Sequence, residues 1–139
     1  MSWTIGEYTM DSGRCPIREF LESLTGRHKE DGLALLSALR EHGSTLRPPR
    51  SKVVETGLFE LRGHQIRIFY LFRPGRRIVL LDGIIKKQDK IPRDVLKRVR
   101  RYMQEVEIAE EDGSSDPVRR FREGSQEPEE PAWQRSRMT

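Results

Sequence analysis

The stretch from residue 57 to 87, GLFELRGHQIRIFYLFRPGRRIVLLDGIIKK, limits the possible folds more than any other part of the chain. Three runs rich in β-branched and aromatic residues, Leu58–Arg62, Gln65–Arg73 and Arg76–Ile85, are separated by two turn signals. Gly63-His64 offers a glycine able to take the positive φ of a two-residue hairpin. Pro74-Gly75 fixes φ at the proline and tolerates the left-handed position at the glycine. The runs therefore read as an antiparallel meander rather than a helix.

With two residues in each turn, Arg62 faces Gln65, Glu60 faces Arg67 and Leu58 faces Phe69. Across the second turn Arg73 faces Arg76, Phe69 faces Leu80 and Arg67 faces Asp82. Alternation then puts Phe59, Leu61, Ile66, Ile68, Tyr70, Val79, Leu81 and Ile85 on one apolar face, the expected core. The other face is apolar at one end (Leu58, Phe69, Leu71, Ile78, Leu80). At its other end it carries Glu60, Arg62, Arg67, Asp82 and Lys86, with His64 at the adjoining turn. A one-residue slip would carry these charges into the core, so the pattern favours this register.

The flanks supply layers for the sheet. Trp3–Met10 reads as a short first strand. Pro16 opens a helix whose Ile17, Phe20, Leu21 and Leu24 form one apolar stripe, and Thr25-Gly26 ends it. A second helix spans Lys29–His42 and stops at Gly43. Together they predict a helical hairpin over one sheet face. Residues 43–56 read as a loop rich in proline and in the cations Arg47, Arg50 and Lys52. After a linker at 88–91, Pro92 starts a third helix running to about Val106, with Val95, Val99, Met103 and Val106 inward. Arg93, Lys97, Arg100, Arg101 and Gln104 lie opposite, as a solvated face or as a surface for nucleic acid or an acidic partner.

A chain of 139 residues suits one domain, and equal shares of hydrophobic and charged residues (35% each) fit a modest core under a charged surface. Residues 1–107 carry 21 Lys and Arg against 14 Asp and Glu, a net +7, whereas residues 108–139 carry 5 against 8, a net −3. The first part is the expected folded domain, and its charge suits either a polyanionic partner or plain solubility. The second reads as an acidic, disordered tail. No apolar run approaches the roughly 18 residues of a membrane span. No secretory leader pattern stands at residues 1–10, and the single Cys15 reads as structural, so a cytoplasmic protein is expected. No metal, nucleotide or dinucleotide motif is present and the three histidines are scattered, so neither a metal nor another cofactor is expected.

Three segments taken in order, PPRSKVVETGLFELRG, IRIFYLF and IVLLDGIIKKQDKIPRDVL, resemble the signature segments of the RelE/ParE toxin superfamily, closest to its phage-derived, HigB-like branch. The resemblance covers about residues 3–107. It implies an α+β fold in which an N-terminal strand and helical hairpin pack on an antiparallel meander that a C-terminal helix follows. It also implies the toxin of a type II toxin–antitoxin pair, with a cognate helix-turn-helix antitoxin as partner. RelE-like members cleave mRNA, commonly on the ribosome and without a metal, whereas ParE-like members inhibit DNA gyrase; fold alone does not choose between them. Glu60 and Arg62 stand in the ELR motif, Arg67 at the basic position of the next strand, Lys86 and Lys87 in the KK motif and Lys52 in the preceding basic segment. Asp82 departs from the pattern, since many relatives have histidine there.

Metal-free RNA cleavage requires a base for the 2′-hydroxyl, cations for the charged phosphorane and an acid for the leaving 5′-oxygen. Arg62, Arg67 and Lys86 suit the second task. Glu60 or Asp82 could serve as the base, and His64 or a lysine as the acid. Arg50, Lys52, Lys87, Lys97 and Arg101 are the candidate phosphate contacts. A cross-strand ion-pair ladder through Glu60, Arg67 and Asp82 is the structural alternative. A nontoxic basic binding module of prophage origin is the functional one.

Overall fold

Six strands form one mixed sheet in the computed structural model, which describes residues 2–86, 90–113 and 116–121. In chain order the elements are β1 (Thr4–Tyr8), α1 (Pro16–Ser23), α2 (Gly26–His42), a 3-10 turn (Gly43–Thr45), β2 (Ser51–Glu55), β3 (Leu58–Arg62), β4 (Ile66–Arg73), β5 (Arg77–Ile85), α3 (Arg93–Asp112) and β6 (Val118–Arg120). The sheet order is β2-β3-β4-β5-β1-β6. Strands β2 to β5 are an antiparallel meander, β1 runs parallel to β5, and β6 closes antiparallel on β1. The expected α+β fold is present, with two more strands than the sequence reading held.

One face of the sheet is covered by α1 and α2. Ile17, Leu21, Leu24, Leu35, Leu36 and Leu39 pack there on Leu61, Ile66, Ile68, Tyr70, Ile78 and Leu80. The other face meets α3, where Val95, Val99, Tyr102 and Val106 cover Leu58, Phe69, Leu71, Val79 and Leu81. Two glycines permit close approach. A methyl group at Gly83 would run into the Phe20 ring of α1, and one at Gly63 would run into Asp31 of α2.

The register differs from expectation at both turns. The first loop is His64-Gln65, closed by Gly63 N–H donating to Ile66 O at 2.9 Å. Arg62 therefore pairs with Arg67 and Glu60 with Phe69. A two-residue shift leaves every side chain on its expected face. The second loop has three residues, Pro74-Gly75-Arg76, with Arg76 at φ 57. Its extra residue exchanges the faces of β5: Ile78 and Leu80 join the α1–α2 core, and Val79 and Leu81 turn to α3. A bulge opposite Phe69/Tyr70 restores the phase, so Asp82 pairs with Phe69 and Ile84 with Arg67. Ile85, expected in the core, is exposed.

Two expected boundaries also move. The basic stretch 43–56 is not all loop, because Ser51–Glu55 pairs with β3 as the edge strand. The third helix runs past Val106 to Asp112 and ends on Gly113 in the left-handed conformation (φ 64). Beyond it, β6 pairs with β1, Phe121 N–H donates to Ile5 O at 2.8 Å, and the Phe121 ring is 2% exposed in the α1–α2 core. Residues 108–112 and 116–121 thus belong to the fold and not to a tail. Residues 122–139 of the expected tail lie outside the described residues. No helix among the described residues is long and apolar enough to cross a membrane.

Candidate phosphate site on the open end of the sheet

α3 covers only part of its sheet face. At the uncovered end, neighbouring strands bring four cations around one carboxylate. Lys52 of β2 pairs with Glu60 of β3, and Arg62 of β3 pairs with Arg67 of β4, all on the face that carries Phe69 and Ile84. Lys86, just past β5, is anchored by its N–H donating to Gln65 O at 2.6 Å. It feels the charges of Glu60, Arg67, Arg62 and Lys52 together.

Glu60 is 1% exposed. Its Oε1 lies 3.4 Å from Arg62 Nε and 4.0 Å from Arg67 Nε. Among the described residues its Oε2 has no hydrogen-bond partner, and neither has Arg67 Nε. Arg67 instead donates from Nη1 to the carbonyls of Gly63 and Ile66, both at 2.9 Å, and so fastens the hairpin. Burial, and then the neighbouring Arg62, hold the Arg67 guanidinium below its usual range, against the opposing pull of Glu60 and Asp31. Burial also lowers Lys86, which Glu60 raises and Arg67, Arg62 and Lys52 lower further. Four cations gather here about one sealed carboxylate, with Asp31 acting on Arg67 from α2, so a bound anion would relieve the repulsion among them.

The same arginines wall a cleft of about 440 Å³ between the β3–β4 hairpin and α2, with Asp31, Arg50 and His64 among its lining. Arg62 N–H donates to Arg50 O at 2.6 Å, which ties the proline-rich segment to β3. His64 N–H donates to Asp31 Oδ2 at 2.9 Å, and the imidazole is left exposed at the rim. Asp31 is the site residue that sequence reading missed. Its signal was faint, one of two successive carboxylates on a helix, and only the fold brings it to the hairpin.

Other expected members lie elsewhere. Asp82 does not flank Arg67. It is 6% exposed beneath α3, where Oδ2 accepts from Arg98 Nε at 3.0 Å and Oδ1 from Gly83 N–H at 2.8 Å. The Glu60–Arg67–Asp82 ladder is therefore absent, because Phe69 and not Arg67 stands opposite Asp82. Lys97 and Arg101 line a separate groove on α3. Lys87 falls outside the described residues. Tyr70 is core, as expected, and its hydroxyl donates to Ser51 Oγ at 3.2 Å. Among the described residues no group of three or more His, Cys, Asp or Glu could hold a metal ion. The arrangement is suited to holding a phosphodiester by charge and by arginine forks, beside a lysine whose proton is held less tightly than usual.

A family model described as Phage derived protein Gp49-like (DUF891) matches residues 19–104, from α1 through most of α3, and the chain belongs to that family. No curated protein matches the chain.

Proposed function

We propose that this member of the phage-derived Gp49-like family is a RelE-like toxin of the HigB-like branch, a metal-independent endoribonuclease that cleaves mRNA at the ribosome. Its counterpart would be a helix-turn-helix antitoxin in the same cytoplasm. The observation that carries this reading is the gathering of Lys52, Arg62, Arg67 and Lys86 around the sealed Glu60. Arg62 and Arg67 receive the scissile phosphate and stabilise the phosphorane. Glu60 is too buried to meet a 2′-hydroxyl and acts by orienting the two guanidinium groups. Lys86, with its lowered proton affinity, takes the 2′-hydroxyl proton. The 2′-oxygen then bonds to phosphorus, the bond to the 5′-oxygen breaks, and His64 at the cleft rim protonates that oxygen. The products are a 2′,3′-cyclic phosphate and a 5′-hydroxyl.

Induced expression with mapping of transcript ends tests this. New 5′ ends within messages should accompany growth arrest, and Arg62→Ala or Lys86→Ala should abolish both. Intact transcripts during arrest would overturn it.

One observation favours a second reading. Glu60 is sealed, Asp31 already accepts from His64 N–H at the hairpin, and Asp82 is committed to Arg98. A gyrase-inhibiting toxin would need the basic surface without acid–base groups. It predicts arrest with DNA-damage signalling, intact messages, and continued toxicity in Lys86→Arg.

A further inference from the structure

The first half of α3 carries Arg93, Lys97, Arg98, Arg100 and Arg101 against the single acid Asp94, while its last turn holds no basic residue and ends in Glu110, Glu111 and Asp112. This order opposes the helix dipole, which favours acids at the N-terminus and cations at the C-terminus. Helix stability therefore does not explain it. Arg100 is neutralised by Glu55 of β2, through bonds of 2.8 and 3.1 Å. Arg98 and Arg101 are placed differently. Both line two adjoining hollows, one of about 460 Å³ that Asp94, Lys97, Arg100 and Gln104 also line, the other of about 510 Å³ with Arg14, Phe20, Asp82 and Tyr102.

Asp82 grips Arg98 at Nε only, 3.0 Å away, and its second oxygen is fixed by Gly83 N–H. The guanidinium is thereby held at Nε, and Arg98 lines both hollows. Arg101, one turn on, lies over the Tyr102 ring at 5.5 Å. On the far wall, Arg14 is already closed on Glu19 by bonds of 2.9 and 2.7 Å. A guanidinium braced at Nε by a buried acid is preorganised to fork onto an oxyanion.

We propose that Arg98 and Arg101 form a second phosphate seat, positioned by Asp82, which takes the backbone of the same RNA that the sheet site receives. This rests on the reading of the sheet site as RNA-binding. Phosphodiester is favoured over an acidic protein. The large apolar side chains exposed among the described residues are Val53, Ile85 and Ile108, and none of them lines either hollow. The apolar groups that do line them, Met10, Pro16, Phe20 and Tyr102, are buried or half-buried and offer a protein partner little to anchor on, whereas nucleic-acid interfaces are polar and basic.

The test is anisotropy of fluorescein-labelled 2′-O-methyl oligouridylate, which has no attacking hydroxyl, on the full chain between about 50 and 200 mM salt. Arg98→Gln with Arg101→Gln should weaken binding about tenfold and flatten the log K against log salt slope by roughly 1.4, about 0.7 for each lost contact. Asp82→Asn should also weaken binding, although it makes the chain more positive, because the amide puts a donor against Arg98 Nε. Thermal melts report whether each variant folds. Arg98→Lys keeps the charge and loses the fork, so it should bind less well than the unaltered chain if the glutamine pair fails to fold. Binding that falls in Arg62→Gln with Lys86→Gln but ignores the α3 variants would overturn the second seat alone. Tighter binding by Asp82→Asn would overturn the bracing role and the seat with it. No binding by the unaltered chain would overturn both sites. A polyglutamate peptide that binds more tightly than the oligonucleotide and is lost with Arg98 and Arg101 would assign the seat to carboxylates and overturn the RNA assignment.

Discussion

Glu60 Oε1 lies 3.4 Å from Arg62 Nε, yet the carboxylate is sealed and the Arg62 side chain is 33% exposed. The two ends of this pair should respond unequally to mutation. Removing the one buried anion that two neighbouring cations share, one of them itself largely buried, is costly, while removing a partly exposed cation from an anion that keeps another costs little. Glu60→Ala leaves Arg62 and Arg67 adjacent without their shared anion and should destabilise by about 3 kcal/mol. Arg62→Ala leaves Glu60 with Arg67 and should cost about 1 kcal/mol or less. Urea denaturation of the two variants measures the asymmetry, and equal losses would show that the pair is not the organising contact of this end of the sheet.

Arg67 serves the hairpin as well as the site. Its Nη1 donates to both Gly63 O and Ile66 O at 2.9 Å. A lysine cannot span that geometry with a planar fork. Arg67→Lys should therefore keep the charge, lose about 1 kcal/mol of stability and lose cleavage. Retention of both would mean that charge alone suffices at this position.

How far the chain discloses this arrangement depends on which forces set each element. Strands β3 to β5 and the three helices are marked by burial on a fixed period, so their existence, and the side of the sheet that each residue of β3 and β4 faces, are legible in the residues. Register is set by turn geometry. Arg76 adopts a left-handed φ that no residue type at that position announces, and this one residue turned β5 over. The bulge near Leu81 then returned Asp82 to the α3 face, where Arg98 takes it. β2 and β6 were hidden for another reason. Both lie at sheet edges, where long-range pairing makes the strand and no apolar alternation is required: Val53 is 58% exposed, and β6 is only three residues long. The grouping of Glu60, Arg62, Arg67 and Lys86 was legible because a two-residue error in register preserves faces, whereas Lys52, read as part of a loop, joins them only through β2. Its separation from Asp82 was not, because that depended on the second turn.

The C-terminal latch gives a prediction that an acidic tail would not. Phe121 is 2% exposed, and Arg18 stacks on its ring at 4.8 Å while bonded to Glu7 of β1 at 2.9 Å. Phe121→Ala should cost about 3 kcal/mol through the cavity it leaves. Thermal or urea unfolding measures this, and an unchanged midpoint would show that the ring adds nothing to the core.

The single thiol should be nearly inert in the folded chain. Burial is the main reason that the Cys15 pKa is pushed up to about 11. Little thiolate is present at pH 8, and thiolate is the reactive form. Ellman's reagent should label Cys15 at that pH at least tenfold more slowly in the folded chain than in urea. Equal rates would place the thiol in water.

The pH dependence of Lys86 separates its proposed role from simple charge. Its pKa is lowered from 10.5, first by burial and then by Arg67, Arg62 and Lys52, with Glu60 opposing. A lysine that accepts the 2′-hydroxyl proton works in its neutral form, so once His64→Gln has removed the proposed acid, the residual cleavage should rise with pH and level off below pH 10.5. Glu60→Gln removes the one neighbour that favours the charged form, and should move that rise to lower pH. Lys86→Arg stays protonated throughout and should lose the rise. Stability follows with a definite sign. The folded state holds this proton less tightly than the unfolded chain, so Lys86 opposes folding at neutral pH. That penalty fades as pH climbs from the folded pKa to the ordinary one. Lys86→Met should therefore be the more stable protein at pH 7, with its advantage vanishing above pH 10.5. A pH-independent difference between the two proteins, or a rate that falls with pH where it should climb, would rule out Lys86 as the proton acceptor.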